Sequence, residues 1–435
     1  MTTTDSPMKA LFDGDAKSIQ CPYPSYARLR NEAPVFHDPE HDIYVVTRHA
    51  DIEAVNTQPK LFSSQNPIGP TVTEAVTAIG RALSEASPEF IERVRVVLAK
   101  GDVLFTQDPP VHTRHRRVLN KALTPRAIAR IEPQIREACH ELIDGFATPG
   151  EPCEVEFISA FCDPAPIRVL AALLGVSAER SADFARWADA INSSTGTTMS
   201  NEALLASLDT QAEFWQFFEA EFADRVENPG DDLLTSIVQA RDDDGTPLTP
   251  NEMVAFCSQL VAAGADTTSK LISSFMYMLC EDPELMARVR SHPDDLPRCL
   301  EEALRLESPI QGLFRIATAD TEIGGVPIPA GAQVYVVYAS GNRDESIFDE
   351  PCKYDPDRDR LRSHQAFGHG PHACLGATVA RTVARISFEV LLERLADIEP
   401  AESGFVPHYS PNYIIRGMES LPLRFTGVAR RGADR

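Results

Sequence analysis

The sequence predicts a mainly α-helical single domain, residues 1–435, with small peripheral β-sheets. Apolar residues recur at three- and four-residue spacing through most of residues 126–281, which is the period of amphipathic helices. Short apolar runs bounded by turn residues, within 34–46 and 321–338, predict small strand pairs. No internal repeat, low-complexity linker or charge block marks a domain boundary. We expect residues 1–20 to form a flexible tail.

The predicted elements follow one another without a break in composition. We predict strands at 34–36 and 43–46 joined at Asp38-Pro39-Glu40, and a strand pair formed by 321–328 and 333–338. Residues 64–107 look irregular, apart from a helix at 89–100, and 192–200 form a polar loop. The remaining helices are predicted at 23–31, 126–146, 169–174, 182–191, 202–226 and 375–395.

The longest predicted helix has an unusually complete start. In Thr249-Pro250-Asn251-Glu252, Thr is the cap, Pro takes the first helical position and Glu closes a capping box. The helical pattern then continues to Glu281, roughly 30 residues or about 45 Å at 1.5 Å per residue. A helix of this length must cross the whole domain.

Charge and composition exclude several classes of protein. The chain carries 41 Lys and Arg against 64 Asp and Glu, a formal charge of −23, so we expect no nucleic-acid partner. It has no signal-peptide pattern and no run of about 18 apolar residues, so we expect no membrane association. Nine cysteines without a CxxC pair indicate reduced thiols and a cytoplasmic location. We expect a monomer.

The most specific motif is Phe367-Gly368-His369-Gly370-Pro371-His372-Ala373-Cys374-Leu375-Gly376. It resembles the haem-thiolate loop of the cytochrome P450 family, F-G-x-G-x-H-x-C-x-G. Gly368 and Gly370 permit a tight turn near a flat ligand, and Cys374 precedes a helix whose first N–H groups stabilise a thiolate. Three other interpretations compete with this one. Cys374 could be a buried core thiol, it could bind zinc together with His369 and His372, or the glycines could belong to a relaxed dinucleotide fingerprint. The context favours haem.

A second motif lies midway along the longest helix, Ala263-Gly264-Ala265-Asp266-Thr267-Thr268. It resembles the oxygen-activation segment of the same family. Gly264 leaves room for O2 near the backbone, and Thr267 with Asp266 is predicted to relay protons. The alternative is a glycine-containing helix whose Thr bonds back to its own turn.

Further residues match family positions around the haem. The pair Glu302 and Arg305 is assigned a structural role behind the cofactor, joined by a second arginine, for which Arg358 is preferred to Arg360. The resemblance also implies contacts between the haem and a set of residues that includes cations for the two propionates. These haem contacts are His112, Arg116, Arg315, His372, Phe367, Gly368 and Gly264.

The resemblance covers residues 23–425 and implies a helical prism that holds haem b on Cys374. It implies a monooxygenase that inserts one atom of O2 into a substrate, by hydroxylation or dealkylation. Electrons are expected from NAD(P)H through a separate ferredoxin reductase and ferredoxin. The net negative charge of this chain would repel an acidic ferredoxin, so docking requires a local basic patch on this chain. The candidates for that patch are Arg114, Arg117 and Arg381.

The substrate is predicted to be a hydrophobic small molecule, since the family positions of the pocket are mainly apolar. The predicted pocket residues are Ala263, Ile310, Leu313 and Ile414, with the segments 64–107 and 192–200. Two other functions stay open. One is a peroxide-dependent peroxygenase or isomerase on the same haem, and the other is a non-catalytic haem-binding recruitment protein.

Overall fold

The computed structural model describes residues 8–98, 103–192 and 200–430, without the side chains of residues 71–75. Helices dominate these ranges, so the predicted fold class is confirmed. In chain order the helices are α1 (Lys9–Phe12), α2 (Ala16–Gln20), α3 (Tyr23–Glu32), α4 (His49–Asn56), α5 (Pro70–Ser84), α6 (Pro88–Leu98), α7 (Val111–Ala122), α8 (Pro125–Arg130), α9 (Glu132–Asp144), α10 (Pro164–Leu174), α11 (Ser181–Asn192), α12 (Asn201–Glu227), α13 (Leu233–Gln239), α14 (Pro250–Glu281), α15 (Pro283–Ser291), α16 (Leu296–Leu306), α17 (Tyr338–Gly341) and α18 (Ala377–Arg394).

The strands form three small sheets. They are β1 (Val35–Asp38), β2 (Ile43–Val46), β3 (Phe62–Ser63), β4 (Pro152–Glu156), β5 (Leu313–Ala317), β6 (Thr321–Ile323), β7 (Val326–Ile328), β8 (Gln333–Val336), β9 (Leu395–Pro400) and β10 (Pro422–Gly427). The largest sheet has the order β1-β2-β8-β5-β3, the second β4-β10-β9, and the third is the β6-β7 hairpin. Strands β2 and β8 are parallel, with Ile43 opposite Gln333, and the other pairs are antiparallel.

Helix α14 is the axis of the main core. The predicted capping box is present: the Thr249 side chain accepts from the Glu252 N–H, and the Glu252 carboxylate accepts from the Thr249 N–H at 2.7 Å. Its buried side chains recur at helical spacing, as expected for a helix packed into the core. They include Val254, Cys257, Val261, Ala265, Thr268, Ile272, Met276 and Leu279.

Three predictions of secondary structure are wrong. Residues 70–84 form α5 instead of irregular chain, because Pro70, which looks like a turn residue, occupies the start of a helix. The predicted helix at 126–146 is divided into α8 and α9, since Pro133 lacks an N–H and starts a new helix. Residues 321–328 form a hairpin by themselves, while β8 pairs with β2 and β5.

The predicted tail is also wrong for the described part, residues 8–20. Leu11 and Ile19 are buried, and the side-chain amide of Gln20 both donates to and accepts from the backbone of Tyr409. Apolar burial and this long-range pairing anchor the segment to the body of the protein. Residues 1–7 lie outside the described ranges.

A small cluster of apolar side chains, the satellite cluster, lies apart from the main core. Val94 and Val97 of α6 pack on Leu208 and Ala212 of α12. An ion pair between Arg93 and Asp209 borders the satellite cluster, with nitrogen and oxygen 2.5 Å apart. The satellite cluster therefore attaches the 64–98 segment to α12.

Candidate active site

The loop that carries Cys374 is a tight turn before α18. The Cys374 N–H donates to the Phe367 carbonyl at 2.7 Å, which closes the loop. Gly368 and Gly370 have φ of 67° and 71°, in the left-handed region. At Gly370 a Cβ atom would lie 2.4 Å from the carbonyl oxygen of Asn56, so this position accepts only glycine.

The Cys374 thiol faces the interior of the protein. Its side chain is accessible, yet burial raises the pKa of the thiol above its ordinary value. Both properties are those of a group that borders an internal space. The N–H groups of Gly376 and Ala377, at the start of α18, and the charge of Arg116 oppose the rise in the thiol pKa.

Two histidines stack beside this loop. The rings of His112 and His372 are 4.0 Å apart, and the Nε2 atom of each is buried without a hydrogen-bond partner. Burial lowers the pKa of His112 to about 4, and Arg116 adds to the effect. Burial also lowers the pKa of His372 to about 3, with contributions from His112 and Arg315. Such a cluster favours an anionic ligand that accepts hydrogen bonds.

The two arginines of this cluster lack ion-pair partners; Arg315 is buried and Arg116 is half-buried. Burial lowers the pKa of the Arg116 guanidinium, and Arg315 is only 3% exposed. Among the residues that the structure describes, neither arginine has a carboxylate within ion-pair distance. A buried guanidinium needs a counter-charge, so an anion belongs next to these side chains.

Asn56, at the end of α4, is a site residue that sequence reasoning missed. Its Oδ1 atom accepts from Arg315 at 3.2 Å and from the Tyr338 hydroxyl at 3.4 Å. It therefore connects Arg315 to the Cys374 loop, since its carbonyl touches Gly370. Asn56 lies in no recognisable motif, and no local signal connects it to residues about three hundred positions away.

The predicted oxygen-activation segment lies on α14 between buried residues. Ala263 is exposed although Val261 and Ala265 beside it are buried. The Thr267 hydroxyl donates to the Ala263 carbonyl at 2.7 Å, and Asp266 pairs with Lys270 one turn later. In this arrangement both side chains of the predicted relay bond within their own helix.

Gly264 serves close helix packing. A Cβ atom on Gly264 would lie 3.1 Å from a methyl group of Leu170 on α10. The space left by the missing side chain is thus occupied by Leu170. The predicted role of Gly264 toward O2 stays a prediction.

The structure brings Glu302, Arg305 and Arg358 together. The side chains of Glu302 and Arg305 are fully buried and paired at 2.8 Å, and Arg358 Nε lies 3.0 Å from Glu302. The Glu302 carboxylate also accepts from the Asp355 N–H at 2.9 Å. The remaining Arg305 donors bind the carbonyl oxygens of Asn342, Pro351 and Lys353.

One predicted pocket residue is placed differently. Ile414 is 1% exposed and packs into the cluster around Phe314 and Tyr335, so it does not border the internal space. Its neighbour Ile415 is half-buried, as are the predicted residues Ile310 and Leu313. Residues 99–102 and 193–199 of the predicted pocket segments lie outside the described residues.

The predicted basic patch carries compensated charge. Arg114 pairs with Asp242 at 2.9 Å and with Glu252 at 2.7 Å, and Arg117 pairs with Asp243. Arg381 is paired with Glu301 through two nitrogens. All three arginines are therefore paired with carboxylates, and their role in ferredoxin docking stays a prediction.

The residues around Cys374 fit an iron porphyrin. The Cys374 thiol would supply a sulfur ligand to the iron, supported by the two backbone donors at the start of α18, and Arg116 and Arg315 would supply positive charge for the two propionates. Among the described residues, no group of three His, Cys, Asp or Glu side chains is placed to hold a metal ion, which disfavours the zinc alternative. Fold and site together are those of a haem-thiolate protein.

Comparison with known proteins agrees with this class. The family model described as Cytochrome P450 matches residues 163–409. Cytochrome P450 107B1 of Saccharopolyspora erythraea is 33% identical over 428 residues, which cover 98% of this chain and 99% of the relative. Cytochrome P450 monooxygenase PikC of Streptomyces venezuelae is 31% identical and covers 95% of this chain and 92% of its own length.

Solved structures give the same result. Cytochrome P450 CYP109Q5 from Chondromyces apiculatus superposes with a TM-score of 0.81 at 33% identity, covering 96% of this chain and 98% of that one. CYP109E1 from Bacillus megaterium, in complex with corticosterone, has a TM-score of 0.79 at 29% identity, with 94% and 99% covered. The chain belongs to the cytochrome P450 family.

Membership defines the general activity. The chain is an oxidoreductase of the monooxygenase type that uses haem iron and O2. In the described ranges, no helix has the length and apolar character needed to span a bilayer.

Proposed function

We propose that this enzyme inserts one oxygen atom from O2 into a hydrophobic small organic molecule, by hydroxylation or dealkylation, on haem b ligated by Cys374. The observation that carries the proposal is the position of the Cys374 sulfur. It faces an internal space at the start of α18, next to four positively charged or imidazole side chains. Haem, when bound, supplies the iron at which O2 is reduced.

Cations and imidazoles of this chain orient the cofactor. Arg116 and Arg315 supply the charge for the propionates, and His112 and His372 contribute buried Nε2 atoms that otherwise have no hydrogen-bond partner. Phe367 and Gly368 shape the loop beneath the sulfur. These donors lie in a buried setting, where charge-assisted bonds to carboxylates are strongest.

Thr267 and Asp266 move protons toward the O2 site. For this step the Thr267 hydroxyl rotates away from the Ala263 carbonyl and donates its proton on the other side. The Asp266 carboxylate, now paired with Lys270, replaces that proton from solvent. Both changes are side-chain movements within one turn of α14.

The proposed substrate class rests on the apolar side chains of the predicted pocket. Ala263 is exposed on α14, and Ile310 and Leu313 are half-buried, which offers carbon surface and little charge. CYP109E1 was solved with corticosterone and with testosterone, both largely apolar molecules. We extend this property, a preference for bulky apolar molecules, to the present enzyme.

Electrons are proposed to come from NAD(P)H through a separate ferredoxin reductase and ferredoxin. The chain covers 97% and 99% of the length of two bacterial relatives. We therefore propose for it the electron donors that bacterial P450s generally use.

Spectroscopy tests the proposal directly. Reduced, carbon-monoxide-treated protein should show the red-shifted Soret band of sulfur coordination, and Cys374→Ser should lose it while Cys21→Ser, at an exposed thiol, keeps it. Absence of that band from the wild-type protein refutes the proposal. A library of apolar compounds, screened by the shift of the ferric absorbance, then identifies the substrate class. Turnover with peroxide alone instead of ferredoxin and O2 supports the peroxygenase alternative.

A further inference from the structure

A compact ionic network lies behind the Cys374 loop. Glu301, on α16 next to the residue that pairs with Arg305, is 5% exposed and binds two partners. Arg381 of α18 donates from Nε to its carboxylate at 2.8 Å, and a second Arg381 nitrogen contacts the other oxygen. The buried His364 Nε2 lies 2.9 Å from the same carboxylate. This is a fork-like arrangement with a defined geometry.

The network ends on the first residue of the loop. The Arg381 guanidinium carbon lies 4.3 Å from the centre of the Phe367 ring, within cation–π distance, and the His364 ring is 6.1 Å from the same ring. The carbonyl of Phe367 in turn accepts the N–H of Cys374 at 2.7 Å. A continuous chain of contacts thus runs from Glu301 through Arg381 and Phe367 to the peptide that presents the sulfur.

The charges of Glu301 and Arg381 also connect this network to the loop. Burial raises the pKa of Glu301, but Arg381 and His364 outweigh that effect and bring it to about 2, so the carboxylate stays ionised. The Arg381 guanidinium also keeps a positive charge seven residues after Cys374, against the aromatic ring of the loop. Its side chain is 41% exposed, which screens part of this charge.

We propose that Arg381, oriented by Glu301 and His364, is a positioning residue that fixes Phe367 against the Cys374 loop and raises the reduction potential of the thiolate-bound iron. The inference rests on the proposed function, since it requires Cys374 to ligate the haem. It replaces the expectation that Arg381 is available for ferredoxin: its guanidinium is engaged by two carboxylate oxygens and a ring.

Two variants of Arg381 and one matched control test this role in the holoenzyme. Arg381→Gln removes charge and fork together, and Arg381→Lys keeps the charge but loses the planar fork. Arg385→Gln is the control, because Arg385 lies one turn further on α18, pairs with Glu132 and Glu389, and loses the same charge. The readouts are the haem reduction potential, the rate at which the sulfur-ligated carbon-monoxide band is lost, and the rate of reduction by ferredoxin.

We expect Arg381→Gln to lower the reduction potential, because a positive charge near the iron is removed. A three- to tenfold fall in the ferrous-to-ferric ratio at fixed potential is the expected size, and tenfold corresponds to about 59 mV for one electron. The sulfur band should be lost at least threefold faster. Arg381→Lys should keep the potential but lose the band faster, and Arg385→Gln should match the wild type in both.

The following results would contradict the role proposed for Arg381. If Arg381→Gln behaves like Arg385→Gln in potential and band stability, the positioning role is wrong. If Arg381→Gln changes only the rate of reduction by ferredoxin, Arg381 is a docking residue and the inference is overturned. A wild-type protein without the sulfur band overturns the proposed function as well, whereas a normal wild-type band with unchanged variants overturns this inference alone.

Discussion

Replacement of Glu302 by Gln should destabilise the protein more than any surface change of the same kind. Glu302 and Arg305 are fully buried, and Arg358 is 5% exposed at its side chain. The carboxylate accepts four hydrogen bonds, two from Arg305 and one each from Arg358 and Asp355. Gln keeps one oxygen but turns an amide donor toward an Arg305 donor, and it leaves two buried guanidinium groups without a counter-charge. The expected loss is about 3–5 kcal/mol.

Urea unfolding followed by far-ultraviolet circular dichroism measures this loss. The control is Glu213→Gln, which breaks an exposed pair with Arg186 at 2.6 Å and should lose less than about 1 kcal/mol. Arg358→Gln leaves the Glu302–Arg305 pair intact and should fall between them, at about 1.5–3 kcal/mol for one charge-assisted bond. Equal losses for Glu302→Gln and Glu213→Gln would refute the reasoning.

Three further predictions concern α14. Thr249→Ala removes the hydroxyl that accepts the Glu252 N–H at 3.3 Å and should lower the free energy of unfolding by about 1 kcal/mol. Burial raises the pKa of Glu252, but bonds from the Thr249 N–H, His115 and Arg114 outweigh it and bring it to about 2. Because this pKa is below the ordinary 4.5, the contribution of Glu252 to stability is present above pH 4.5 and is lost as pH falls toward 2; Glu252→Gln should flatten the pH profile of the unfolding midpoint there. Thr267→Ala should release more peroxide per O2 consumed and form less product, in assays with ferredoxin and reductase.

Conservative variants serve as controls for two of these predictions. Thr249→Ser keeps the hydroxyl and should keep most of the stability, and Thr267→Ser should stay coupled. A pH profile of Glu252→Gln that follows the wild type between pH 4.5 and 2 contradicts the assignment of that carboxylate. Full coupling in Thr267→Ala contradicts the proton role of Thr267.

Local features of the sequence were sufficient where a few adjacent residues determine the structure. The start of α14 follows from Thr249, Pro250 and Glu252, which satisfy one another across four positions. The Cys374 loop follows from glycines at 368 and 370, which adopt the left-handed φ that the turn requires. Both depend on backbone chemistry within ten residues.

Features that depend on distant residues could not be predicted. Helix α5 contains Thr, Val and Gly, which have low helix propensity, so packing of α5 and α6 against α12 decides its structure. The pairing of β2 with β8 joins residues 290 positions apart, as Ile43 opposite Gln333 shows. Asn56 entered the site only because α4 ends beside Gly370.

The error at Ile414 has a simple physical origin. The Asn412 side-chain oxygen accepts from the N–H groups of both Ile414 and Ile415, so the chain turns here and the local pattern does not determine which side chain enters the core. Ile414 is in the core, and Ile415 is half-buried.

The signs of the charges at 114, 117 and 381 were read correctly, but their carboxylate partners lie on other elements and are invisible in a local pattern.

The satellite cluster separates two properties that a single core would link. Because α6 meets α12 in a cluster of four buried side chains, two from each helix, this contact is a local unit that can open before the packing around α14. Local opening of this contact then depends on residues such as Val94 and Leu208, whereas global unfolding depends on the large core. Substitutions in the satellite cluster should therefore change how readily the 64–98 segment opens, with little effect on the free energy of global unfolding.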